Sequence, residues 1–156
     1  MLQEQHISHA EHNLDAASFI VKNSIFFDWT ITVSFYSAIH YVESVLIYLS
    51  SQNAKLKYFD ELVKVEHSEQ LKGKYISNNG KPLYNPHPIR KKLVEENFSR
   101  IRDSYNRLED ASWTQRYCNW QQYDKTKCEN MIEKHLYKIK KWHDETVKIE
   151  NKIICT

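Results

Sequence analysis

Glycine and proline are scarce in this chain, two and three among 156 residues. Turn-rich and all-β designs need both residues at their corners, so the scarcity argues against them. It also argues against Rossmann and P-loop nucleotide folds, whose phosphate loops are built on glycine. Cysteine is nearly as rare: Cys118, Cys128 and Cys155 are odd in number and fall at no disulfide or metal spacing. No secretory signal opens the chain, so a reducing, cytoplasmic setting is expected. Neither charge sign dominates. The formal net charge is +2, so attraction to a polyanion has to come from local patches. A long pure hydrocarbon run is missing too. Residues 29–49 approach membrane-spanning length, but His40, Glu43 and several hydroxyls interrupt them, and the mean hydropathy is strongly negative. A central helix of a bundle is expected there, and no membrane partner.

What is present in abundance is aromatic: ten tyrosines, six phenylalanines and four tryptophans. These pack helix against helix and can stack on bases. The length suits one domain over 1–156. Ile7, Ala10, Leu14, Ala17 and Val21 recur at steps of three and four, predicting a helix over about 3–23. A second helix is expected from Asp28, as N-cap, to Ser51; it is apolar almost all round apart from a stripe of small hydroxyl residues. A short amphipathic helix is expected over 55–66, followed by a loop from Gly73 to Pro86 with turn residues at Asn78-Asn79-Gly80. Ile89, Leu93 or Val94, Phe98, Ile101, Tyr105 and Leu108 predict a third helix from Pro88 to Ser112, with a break over 113–122. The last helix is expected from Asp124 to Asn151, its core stripe running through Cys128, Ile132, His135, Ile139 and Trp142 and its outer face rich in lysine. The predicted fold is all-α, an antiparallel bundle of four long helices with a short extra one.

Chemistry-bearing residues gather in three places. His40 and Glu43 lie one turn apart on the second helix, and ionisable groups in an apolar helix need a partner or an opening. His87 and Arg90 open the third helix; Ser112, Arg116 and Tyr117 stand where it stops. Such a set suits metal-free phosphodiester chemistry, with arginine gripping phosphate and histidine moving a proton near neutral pH. Each member also has a simpler use: a buried His40–Glu43 hydrogen bond, a helix-start cap at His87, an intrahelical bridge at Arg116. A helix of that length spans about 37 Å, so its two ends are expected to stay apart. His6, His9 and His12 do not offer the His-x-x-x-His zinc spacing, and no metal or other cofactor is expected.

Taken together, Trp29, the run Phe35-Tyr36-Ser37-Ala38-Ile39-His40-Tyr41-Val42-Glu43, His87-Pro88-Ile89-Arg90, and Tyr105-Asn106-Arg107-Leu108 with Ala111-Ser112 and Arg116-Tyr117 resemble prokaryotic HEPN-domain proteins over about residues 9–117. The resemblance implies a bundle of four or five helices, a homodimer, and RNA or a nucleotide as ligand. Members of that group include metal-independent endoribonucleases of toxin–antitoxin and phage-defence systems, and also non-catalytic RNA-binding or protein-interaction modules. Both readings stay open. One departure matters: the arginine followed after four to six residues by histidine, which marks HEPN ribonucleases, is absent. Lys138 to His143 has the spacing with lysine, which lacks the bidentate fork, and Glu129 to His135 begins with the wrong charge. Any catalysis is therefore expected from His40 as acid or base, Glu43 orienting it, and Arg90 and Arg116 holding phosphate. His87, Ser112 and Tyr117 would bind substrate, and a dimer would join two half-sites across one groove.

Overall fold

The computed structural model describes residues 1–23, 26–52, 86–118 and 123–151. The helix expected over 55–66 lies outside the described residues, as does the expected loop up to Pro86, which already belongs to a helix. Every regular element among them is helical, so the fold is all-α.

Helix α1 spans Gln3–Lys22 and turns Ala10, Leu14, Ala17 and Val21 inward, as their spacing predicts. Helix α2 spans Phe27–Gln52 and is the central member, buried from Thr30 onward on nearly every side. It begins one residue before the expected cap, so Asp28 sits inside its first turn, where a carboxylate favours the positive end of the helix dipole. The two helices run antiparallel at close range. Ala10 and Ala38 are fully buried between them, and the Ser37 hydroxyl donates to the Ala10 carbonyl at 2.7 Å. The stripe of small residues is therefore a packing device along this seam.

The third predicted helix is two helices. Helix α3 spans Pro86–Asn97, helix α4 spans Ser99–Tyr117, and Phe98 between them leaves helical geometry at φ −125°, ψ 59°. Phe98 is buried against Trp142, ring centroids 4.9 Å apart. Its carbonyl accepts from the amides of Ile101 and Arg102, while the Asn97 side chain closes the end of α3 by donating to the Leu93 carbonyl at 2.9 Å. The chain folds back here: Lys91 meets Glu109 at 2.9 Å, and Asn106 donates to Glu95 at 3.3 Å. The expectation of one continuous rod is thus corrected. Helix α4 also continues through Tyr117, beyond the predicted stop at Ser112.

The last rod starts where predicted. Asp124 caps helix α5, Lys125–Met131, by accepting from the Lys127 amide at 2.8 Å. A π-helical turn over Ile132–Leu136 then leads into helix α6, Tyr137–Asn151. The wider turn inserts one residue into the periodicity. Leu136 takes the fully buried seat that the spacing assigns to His135, and the half-buried His135 instead meets the Ser104 hydroxyl at 3.3 Å. The core gathers where α2 faces α1, α4 and α6, around Phe35, Tyr41, Tyr105, Leu108 and Ile139. No helix among the described residues is long and apolar enough to cross a membrane.

Candidate functional site

The fold-back at Phe98 brings the two ends of the predicted third helix together. His87 and Pro88, on the first turn of α3, face Trp113, Arg116 and Tyr117 on the last turns of α4, across a cleft of about 450 Å³. Phe35 from α2 forms its floor and stacks on His87, ring centroids 6.0 Å apart and planes 30° apart. Trp113 and Tyr117 are both largely exposed, with ring centroids 4.4 Å apart, as expected for side chains one turn apart on a helix. The Arg116 guanidinium lies over the Tyr117 ring at 5.2 Å, and its Nε donates to the Ser112 carbonyl at 3.2 Å. Lys91 enters from α3 between Glu109 and Asp110, at 2.9 and 3.5 Å.

The electrostatics follow from this crowding. Burial and then the charges of Arg90 and Arg116 hold the His87 imidazole below its usual value, so it is neutral at pH 7. Burial raises the Glu109 carboxyl even though Lys91 opposes it. The Lys91 ammonium, partly desolvated, is held charged by Glu109 and Asp110. With Lys91 paired to Glu109 and Asp110, the cleft can stack a planar ring on Trp113 or Tyr117 and hold an anion at Arg116.

Glu43 and Arg90 are sealed beneath the cleft. The Arg90 Nε donates to Glu43 Oε1 at 2.6 Å, with side-chain exposures of 6% and 2%. This corrects the expected partnership of Glu43 with His40. Residues three apart on a helix point about 60° apart, so neighbours on different sides can claim them. Glu43 faces α3, and His40 faces α1. Arg90 remains charged because Tyr105 and Glu43 outweigh the desolvation that burial imposes. Its guanidinium is ion-paired with Glu43, and its charge lowers the pKa of both His40 and His87.

His40 lies on the α1 seam. Its Nδ1 is 3.0 Å from Nδ1 of His6, a distance that requires one of the two nitrogens to carry a proton and the other to accept. The His9 ring stands edge-on to it, centroids 5.1 Å apart. Burial, followed by repulsion from His6, His9 and Arg90, lowers the His40 pKa to about 4. The imidazole is thus neutral at pH 7 and hydrogen-bonded to a residue on which the sequence reading placed no chemistry. No group of three or more His, Cys, Asp or Glu side chains among the described residues could hold a metal ion.

Of the sequence-selected residues, His87, Arg116 and Tyr117 therefore share one cleft. Ser112 adjoins it, fully buried, and contributes its carbonyl through Arg116. Glu43 and Arg90 form a covered pair, and His40 belongs to a separate histidine cluster. Phe35, Lys91, Glu109 and Trp113 line the cleft without having been singled out for it. The signal that could have found them is Asn97-Phe98-Ser99, a helix-ending residue and a helix-starting residue around one aromatic.

No protein-family model, curated protein or solved structure matches this chain.

Proposed function

We propose that this chain is an HEPN-like, RNA-associated protein that binds single-stranded RNA in the α3–α4 cleft. The observation that carries the reading is the cleft's composition: the exposed Trp113 and Tyr117 offer ring faces above the buried Phe35, and Arg116 offers a cation beside them. Unpaired bases stack on aromatic side chains, and arginine neutralises the phosphates between them. Lys91 is paired with Glu109 and Asp110, so Arg116 is the cation in the lining that can meet a phosphate, and attraction by bulk charge is not needed. The resemblance to HEPN proteins, which rests in part on the same residues, implies the same ligand class.

Strand cleavage is the second reading, and one observation favours it: His87, neutral at pH 7, shares the cleft with Arg116. In that reading His87 takes the proton of a ribose 2′-hydroxyl and the 2′-oxygen bonds to phosphorus. The bond from phosphorus to the 5′-oxygen breaks, that oxygen takes a proton from water, and Arg116 stabilises the charge on the phosphorane oxygens. The assignment moves the proton-transfer role from His40 to His87, because His87 lines the cleft with Arg116 whereas His40 lies on the α1 seam beside His6.

The test incubates the purified protein with total and transfer RNA in EDTA, alongside His87→Ala, His40→Ala and Arg116→Ala. Retained RNA without product fragments supports the binding module. Fragments that vanish with His87→Ala and Arg116→Ala but persist with His40→Ala support cleavage in this cleft. Neither retention nor cleavage of any RNA overturns both readings and leaves a protein-interaction module.

A further inference from the structure

Arg116 borders two hollows. Besides the cleft described above, it lines a second hollow of about 240 Å³, completed by Asp28, Trp29 and Thr32 from the start of α2 and by Gln115 from α4. Trp29 is 57% exposed, a large ring face open to solvent at the rim. Gln115 is its opposite: 3% exposed, with neither its amide nitrogen nor its amide oxygen hydrogen-bonded. A buried carboxamide with both ends unsatisfied is costly, and a ligand edge that pairs it recovers that cost. Thr32 already donates its hydroxyl to the Asp28 carbonyl at 3.2 Å, so what that oxygen has left is acceptor capacity. The Arg116 Nε is committed to the Ser112 carbonyl, so the terminal N–H groups of the guanidinium are the ones it can present between the hollows.

We propose that the Trp29–Gln115 hollow is a second base subsite selective for adenine, and that Arg116 holds the phosphodiester joining the two nucleotides seated on either side of it. This deepens the RNA reading of the first cleft and rests on it. The selectivity follows from the edge chemistry. A glutamine amide pairs one acceptor and one donor with the 6-amino group and adjacent ring nitrogen of adenine. The Asp28 carboxylate accepts only, so it takes the second amino hydrogen and repels the carbonyl that uracil or guanine carries at that position. Trp29 favours a two-ring base over cytosine through its stacking area. Asp28 also disfavours phosphate, which leaves the anion to Arg116 and sets which end of the nucleotide enters.

Binding of fluorescently labelled single-stranded tetranucleotides, one for each base, decides the matter by anisotropy. The wild type is expected to bind the adenine oligomer about tenfold or more tighter than the uracil oligomer, the scale of one bidentate base contact. Gln115→Leu is expected to erase that preference while leaving uracil-oligomer binding in place. Trp29→Ala, which changes an exposed side chain and so guards against misfolding of the glutamine variant, is expected to weaken the adenine oligomer more than the uracil oligomer. An adenine preference that survives both substitutions, or is absent from the wild type, overturns the second subsite. Loss of all four oligomers in Trp113→Ala would then show that the first cleft stands without it. Failure of the wild type to bind any oligomer overturns both the subsite and the RNA reading beneath it.

Discussion

The α1–α2 seam and the α3–α4 cleft each hold one half-buried histidine with a depressed pKa, and they use it in opposite ways. His40, in the seam, is ringed by His6 and His9, packed beside fully buried alanines, and bonded to another imidazole. His87, in the cleft, stacks on Phe35 and looks across open space toward an arginine and two exposed aromatics. Residue type and burial alone do not separate the two. What separates them is where the ring is placed: His40 packs between two helices against other imidazoles, whereas His87 lines a cleft it shares with Arg116, Trp113 and Tyr117. The Glu43–Arg90 pair lies beneath both regions and biases both imidazoles toward the neutral form through the guanidinium charge.

The sharpest way to break this division is to attack the buried pair. Glu43→Gln leaves Arg90 enclosed without its counter-charge and is expected to cost about 3–5 kcal/mol in a denaturant melt. Replacing Glu43 and Arg90 together with leucine is expected to cost clearly less than the single change, since hydrophobic replacement of a whole pair is near neutral. A single change as mild as a surface substitution would place the pair in water, contrary to its burial.

Next in size come the cleft aromatics. Trp113→Ala and Tyr117→Ala are each expected to weaken RNA binding by about 1–3 kcal/mol per stacked base. Both side chains are largely exposed, so thermal stability should move by no more than about 0.5 kcal/mol. Equivalent changes in the seam should do the reverse, lowering stability and sparing affinity.

The pH dependence sharpens the comparison further. In the unfolded chain His40 takes up a proton near 6.5, but in the folded chain only near 4. Between those values the unfolded state binds more protons, so this histidine's contribution is complete above 6.5 and is lost as pH falls toward 4. Melting temperature should fall across that window, and His40→Asn should make the decline shallower. His87, His135 and His143 are also depressed by burial and keep some slope in the variant. The smallest effect is expected at the exposed Arg100–Glu145 pair, where Glu145→Gln should change stability by about 0–1 kcal/mol.

Most of the helical frame was legible from residue spacing. Ala10, Leu14, Ala17 and Val21 announce α1, and Asp124 announces the start of the last rod. Two features escaped. The break at Phe98 is masked because Ile89, Leu93, Phe98, Ile101 and Tyr105 keep an unbroken helical period; both limbs of the hairpin turn their apolar faces to the same core. The π-helical turn is masked because one inserted residue near His135 leaves apolar candidates at adjacent positions. The first omission governed the site. In a single rod His87 and Tyr117 stand at opposite ends and need a dimer to unite them; the hairpin unites them within a single chain. Trp113 and Gln115 fall in the break expected over 113–122, whereas the helix continues through Tyr117 and sets Trp113 on the α3 side and Gln115 beside the start of α2.

The most direct test titrates a single-stranded RNA oligonucleotide against the wild type, Arg116→Ala and Trp113→Ala, with melting temperatures recorded in parallel. Measurable wild-type binding that falls about tenfold or more in each variant at unchanged stability is the expected result. Equal binding by all three proteins would contradict the cleft as the RNA site.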